Sequence, residues 1–223
     1  CSRNLHTRTN CRCQLLRSCI HGKCRRRPRR PPPGLRQQHP KGINERNFMN
    51  QLVSQYKIRN REDLAAEIRR RQQLGERGVF TNGCFDLLHL GHVRYLQEAR
   101  SLGDFLIVGL NSDTSTRLLK GPGRPLVPEH ERAEILAALS CIDYVTIFAE
   151  PTASPLVALL QPAIYVKGGD YANAHSDTPD LHRLPEAKVV QQYGGTIRLI
   201  PYVPGHSTTE LIATIQQLPK KSL

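Results

Sequence analysis

No apolar run in this chain approaches the roughly 20 residues a helix needs to cross a bilayer. Nor does the front of the chain carry the apolar stretch of a secretory signal, so the expectation is a soluble, cytoplasmic protein. Cysteine is scarce along most of the length. Five of the seven (Cys1, Cys11, Cys13, Cys19, Cys24) fall in the first 24 residues, leaving only Cys84 and Cys141 beyond them. Two scattered thiols make no disulfide framework, which points to a reducing compartment. Acidic residues are nearly missing from the front. Residues 1–48 hold 13 Lys and Arg against one acid, Glu45, for a net +12, whereas residues 49–223 hold 19 basic and 18 acidic side chains, net +1. The formal charge of +13 therefore belongs to the front segment. A near-neutral remainder argues against nucleic acid as the main partner of the body.

Residues 1–48 also lack apolar periodicity, and Arg25-Arg26-Arg27, Arg29-Arg30 and Pro31-Pro32-Pro33-Gly34 are disorder-prone. Cys11, Cys13, Cys19, His21 and Cys24 could form a zinc site, but their gaps match no familiar finger. A basic arm for RNA and an organelle transit peptide also suit the Arg excess. Met49, the sole methionine, directly precedes the ordered pattern. The favoured expectation is that 1–48 is a disordered basic segment outside the mature protein, and that 49–223, 175 residues, is one domain.

From Asn60 the pattern is helical: Asn60 can cap, Leu64, Ala65 and Ile68 make an apolar stripe, and Gly75 can close the helix. Gly78–Thr81 reads as a short buried strand broken by Asn82 and Gly83, with a helix resuming after Gly91. Further strands are expected at Phe105–Leu110, Tyr144–Phe148, Ile164–Lys167 and Thr196–Ile200. Helices are expected between them: one ending near Lys120, one opened by Pro128 and Glu129, then Pro155–Leu160, Glu186–Tyr193 and a last one over Glu210–Gln217. In the Pro128 helix, Arg132 should lie opposite the apolar Ile135, Leu136 and Leu139. Residues 172–183 read as a polar loop whose His175 and His182 are exposed. The fold class is α/β: a single Rossmann-like, doubly wound, parallel five-stranded sheet with helices on both faces.

Chemistry-bearing residues cluster after the strands. Asp86, His89 and His92 follow the first, Asn111 and Asp113 the second, Gly168 and Asp170 the fourth, and Ser207, Thr208 and Thr209 the fifth. Ligands of such sheets bind at the strands' carboxyl ends, so these groups are expected to form one site. Two histidines three apart at a helix entrance can aim at one spot, and Gly91 between them lets a ligand approach. The helix N-terminus beneath them suits a phosphate. No nucleophile elbow surrounds Ser207, and Cys84 reads first as a small packing residue. Phosphoryl or nucleotidyl transfer needs no covalent help, only alignment and charge neutralisation, which suits this inventory.

Gly83-Cys84-Phe85-Asp86-Leu87-Leu88-His89-Leu90-Gly91-His92 after a predicted strand resembles the HxGH nucleotidyltransferase superfamily, of cytidylyltransferase-like fold. Further segments extend the likeness: Val108-Gly109-Leu110-Asn111-Ser112-Asp113, Lys120-Gly121-Pro122-Gly123-Arg124-Pro125, Val166-Lys167-Gly168-Gly169-Asp170-Tyr171, the Leu184–Val190 segment and Ser207-Thr208-Thr209. With them the chain is similar to the D-glycero-β-D-manno-heptose 1-phosphate adenylyltransferase (ADP-heptose synthase) family, in the stand-alone form.

That resemblance implies ATP and a heptose 1-phosphate as substrates, ADP-heptose and pyrophosphate as products, Mg2+ with ATP, and a homodimer as the candidate assembly. It gives His89, His92 and Lys120 to the α-phosphate as catalytic groups, and Ser207, Thr208 and Thr209 to the β/γ end. Asp86 would orient phosphates or Mg2+, and Arg132 would assist or be an ordinary salt-bridging residue. Thr81, Asn82, Gly83, Phe85, Gly91, Asn111, Asp113, Gly168 and Asp170 would border the nucleotide. The chain departs from related cytidylyltransferases at Tyr202–His206, where they carry an arginine, and at Ala213 and Thr214, where some carry lysines. Two rivals stand beside this reading: a cytidylyltransferase acting on glycerol 3-phosphate or a similar small phosphate, and a nucleic-acid-binding protein working through residues 1–48.

Overall fold

A computed structural model of the chain describes residues 55–168, 184–201 and 208–217. The expectations for residues 1–48, Asp170, the 172–183 loop with its two histidines, and Ser207 lie outside these residues.

Helix α1 spans Arg61–Gln73. Asn60 caps it, its side chain accepting from the Asp63 amide at 2.8 Å, and Gly75 takes φ +82 just beyond its end. Leu64, Ala65 and Ile68 are buried along one stripe, as their spacing dictates. Then come β1 (Gly78–Gly83), α2 (Leu90–Ser101), β2 (Phe105–Asn111), α3 (Asp113–Lys120) and α4 (Glu129–Ala138). They are followed by β3 (Tyr144–Phe148), α5 (Ser154–Leu160), β4 (Ile164–Gly168), α6 (Ala187–Gln192), β5 (Thr196–Ile200) and α7 (Thr208–Gln216).

The five strands form one all-parallel sheet in the order β3-β2-β1-β4-β5. Parallel pairing demands crossovers, and the helices that supply them cover both faces. On one face Val79, Leu106, Val108 and Val166 pack under α2 and α4 through Leu96, Ala99, Ala133 and Leu136. On the other, Phe80, Ile107 and Tyr165 pack under α1, α5 and α6 through Leu64, Ile68, Leu156, Leu160 and Val190. Burying each such large side chain contributes about 1.5–3 kcal/mol, so the strands are held from both sides.

Three local expectations are corrected. Asn82 and Gly83 do not break β1, because its pairing with β2 continues through Asn82↔Gly109 and Gly83↔Leu110. Helix α2 begins at Leu90, so Gly91 lies inside its first turn. On α4 Arg132 is buried on the same face as the expected Leu136, while Ile135 is 47 % exposed. An arginine goes inward there because its donors meet acceptors from several segments, which no apolar count can anticipate.

Candidate active site

The sheet order places β1 between a β2–β3 half and a β4–β5 half, so the chain changes direction between β1 and β4. A crevice opens at the carboxyl ends of such strands. Both strands are fully buried until their last two residues, Asn82 and Gly83 on β1 and Lys167 and Gly168 on β4, which become partly exposed. β2 stays buried throughout. Along the three central strands, access is therefore concentrated at the β1/β4 ends.

His89 is the N-cap of α2, in extended conformation, and makes no side-chain capping bond. Its carbonyl accepts from the His92 and Val93 amides at 3.0 and 3.3 Å. The first turn of α2 carries no acid, unlike those of α1, α3 and α4. The positive end of this helix is thus left uncompensated by carboxylates. The His89 and His92 rings stack with centroids 3.8 Å apart, and Phe85 leans on His92 at 5.4 Å. Phe85 sits at φ +44, a conformation costly for a bulky residue. Its ring lies 3.1 Å from where a Cβ on Gly83 would stand, so glycine at 83 makes that fold-back possible.

The His92 Nδ1 atom is buried without a hydrogen-bond partner among the described residues. Burial, and secondarily the neighbouring His89, push the His92 pKa down to about 4. At neutral pH it is an uncharged imidazole, offering one N–H to an incoming oxygen.

Asp86 is buried and clamps the loop between α3 and α4. One carboxylate oxygen accepts from the Leu126 and Val127 amides at 2.8 and 3.0 Å. The other faces Arg124 Nε across 2.9 Å, an ion pair whose alignment falls short of a hydrogen bond. Arg124 keeps Nη1 buried and unpartnered among the described residues. Within this loop Gly121 and Gly123 take φ +88 and +84, a turn that side-chain-bearing residues resist. Lys120 stands exposed at the end of α3 just before it.

Arg132 is consumed by the frame. Nε donates to the Val127 carbonyl, Nη1 to the carbonyls of Cys84 and Asn111, and Nη2 to the Asp113 carboxylate at 2.6 Å. The Asp113 amide in turn donates to Glu129, and Asn111 Nδ2 donates to Ser115. Thr81 is fully buried and lies 2.6 Å from the Tyr95 hydroxyl, which donates to the Val166 carbonyl. Thr81, Asn111, Asp113 and Arg132, expected at the nucleotide, also tie parts of the protein frame to one another.

Thr208 opens α7 beyond β5, and only the backbone of Thr209 is described. Gly168 ends β4 at the crevice. Asn82 Oδ1 accepts from Tyr165 Oη at 2.9 Å and Lys167 Nζ at 3.0 Å. Lys167 is a polar group of this region to which the sequence reading gave no role. The available signal for Lys167 was a cation closing an otherwise apolar strand directly before two glycines.

The described residues do not fit a protein-built Mg2+ site. No group of three or more His, Cys, Asp or Glu among them could hold a metal ion, and Asp86 already faces two amides and a guanidinium. A cation beside Arg124 would be repelled by it.

Imidazoles stacked over an acid-free helix start, at the switch point of a doubly wound parallel sheet, mark the candidate site. The chain belongs to the cytidylyltransferase-like family, whose model matches residues 80–214. It is 53% identical over 163 residues to a bifunctional protein HldE of Geotalea uraniireducens, covering 73% of this chain and 32% of that protein. To the bifunctional protein HldE of Pelobacter propionicus it is 54% identical over 162 residues, with 73% and 32% covered. The chain thus spans about a third of the length of these relatives. Among solved structures, a lipopolysaccharide core biosynthesis protein from Thermoplasma volcanium is 26% identical, with 58% of this chain and 98% of that one covered, at a TM-score of 0.44. No helix among the described residues is long and apolar enough to cross a membrane.

Proposed function

We propose that the protein transfers AMP from ATP to D-glycero-β-D-manno-heptose 1-phosphate, giving ADP-heptose and pyrophosphate. The observation that carries the transfer chemistry is the neutral, half-buried His92 beside His89 at the open start of α2. A phosphate oxygen of the acceptor attacks the α-phosphorus of ATP. The new P–O bond forms as the bond to the β-phosphate's bridging oxygen breaks, and that oxygen leaves with pyrophosphate. Charge gathers on the α-phosphate oxygens, where fixed donors act without reorganising.

In this scheme His92 donates to an α-phosphate oxygen, and the α2 amides and His89 hold the triphosphate. Lys120 and Arg124 close over it from their loop, which Asp86 holds in place. Thr208, with Ser207 and Thr209, meets the β/γ end from α7. Mg2+ enters on the triphosphate, and no protein carboxylate is assigned to it. The choice of ATP and of the heptose acceptor rests on sequence likeness. The kinship to bifunctional HldE proteins supports it.

Pyrophosphate release with each nucleoside triphosphate, against a panel of sugar and polyol phosphates, tests the proposal. ATP with the heptose 1-phosphate should give the fastest release. Preference for CTP with glycerol 3-phosphate would hand the site to the rival reading.

A further inference from the structure

We propose that Lys167, anchored by Asn82, binds the phosphate monoester of the acceptor on the sheet face opposite the histidines. The inference rests on the nucleotidyl-transfer reading above and adds the subsite that the second substrate occupies.

Side chains alternate across a strand, and Thr81 pairs with Val166, so Asn82 and Lys167 stand side by side on one face. Two residues earlier on the same strands, Phe80 and Tyr165 belong to the core under α1, α5 and α6. Helix α2, which carries His92, packs on the other face. In-line displacement requires the attacking oxygen and the departing pyrophosphate on opposite sides of phosphorus. If the triphosphate lies along the α2 side, the acceptor must arrive from the side of Lys167.

A ligand can reach it there, since Asn82, Gly83, Lys167 and Gly168 are the partly exposed ends of otherwise buried strands. The amine is also held in place. Asn82 Oδ1 takes hydrogen bonds from Lys167 Nζ at 3.0 Å and Tyr165 Oη at 2.9 Å, which fixes the direction of a flexible side chain. Burial pushes the amine below the ordinary lysine range, while Glu186 and Cys84 nearby act in the opposite sense. One Glu186 oxygen accepts from the Ala153 amide at 2.9 Å. A cation kept at such a cost of desolvation gains most from a ligand of opposite charge, and a phosphate monoester carries up to two negative charges.

The test uses the full chain and its Lys167→Met and Asn82→Ala variants, each checked for cooperative unfolding. Losing one charge-assisted contact to phosphate should raise the acceptor KM about 10- to 100-fold in Lys167→Met, with the KM for ATP within about twofold of wild type. Asn82→Ala, which keeps the amine but frees it, should show a smaller rise in the same constant. A structural amine would shift both constants together or neither, and either result overturns the proposal. In parallel, calorimetry follows the heptose 1-phosphate, and separately inorganic phosphate, binding to protein loaded with a non-hydrolysable ATP analogue. Wild type should bind both and Lys167→Met neither; equal binding, or none by wild type, overturns the site. If wild type releases no pyrophosphate from any nucleotide, adenylyl transfer fails on its own account, and this binding arm still decides for or against Lys167.

Discussion

Two corners of the carboxyl edge, both crowded with polar side chains, are built on opposite terms. At the β2–α4 corner, Arg132 is 1 % exposed and bonded to three carbonyls and a carboxylate. At the β1–α2 corner, His92 is partly exposed, its buried Nδ1 has no partner among the described residues, and its pKa has fallen to about 4. Desolvation is incurred in both places, but only in the first is it repaid by the protein itself. A buried polar group that is saturated fixes the frame. One left wanting is ready for a ligand.

Breaking the first corner should have the largest effect. Arg132→Met removes the side-chain donor to the carbonyls of Cys84, Asn111 and Val127 and the partner of the Asp113 carboxylate. It should cost about 3–5 kcal/mol of stability, measured by urea unfolding. A stable variant with a raised KM for ATP would place Arg132 in the ligand site and erase the contrast.

Substitution at the second corner should spare the fold and cost turnover. His92→Ala should lower kcat by roughly 10²–10³, about 3–4 kcal/mol, with the ATP dissociation constant near wild type. His89→Ala, at the helix entrance, should show more of its loss in the KM for ATP. Retention by His92→Ala of more than about a third of wild-type kcat, far above that donor range, would reduce the imidazole to packing.

A smaller effect follows from the depressed pKa. Unfolded, His92 takes up its proton near 6.5; folded, near 4. Above the unfolded value neither state is protonated and stability is complete. As pH falls from about 6.5 to about 4 the unfolded chain binds the extra proton, and on the order of 2–3 kcal/mol is lost. Glu67, drawn down to about 2 chiefly by its hydrogen bond with Arg70, loses its own contribution only from about 4.5 downward. Thermal melts across this range should show the upper step in wild type and not in His92→Ala. Smallest of all, a chain starting at Met49 should match the full chain in pyrophosphate release, since every residue assigned to either corner lies after it in the sequence.

The strands were legible because their residues are apolar and β-prone in runs of the right length. All five lie within two residues of where composition placed them. The Asn60 cap and the Gly75 stop were equally readable, since each acts through its own backbone neighbourhood. The site was legible as a set of strand ends, not as a set of contacts. Pattern alone put Arg132 on the outer side of α4, because the carbonyls that draw it inward belong to Cys84 and Asn111, 48 and 21 residues away. Asp86 was singled out by its place after β1, and the loop that its carboxylate holds, 40 residues further on, left no local sign. Lys167 was read as the last residue of a strand, and only the β1–β4 register sets it beside Asn82.

The stacked imidazoles carry one more consequence. With centroids 3.8 Å apart, His89 adds to burial in disfavouring a charge on His92. His92 is therefore uncharged without a ligand, and an arriving polyanion that favours its charged form draws one hydrogen ion to that ring. Nucleotide affinity should then rise toward mild acid with a slope in log Kd per pH unit that never exceeds about one. Calorimetric titrations in buffers of different ionisation enthalpy would read that stoichiometry directly.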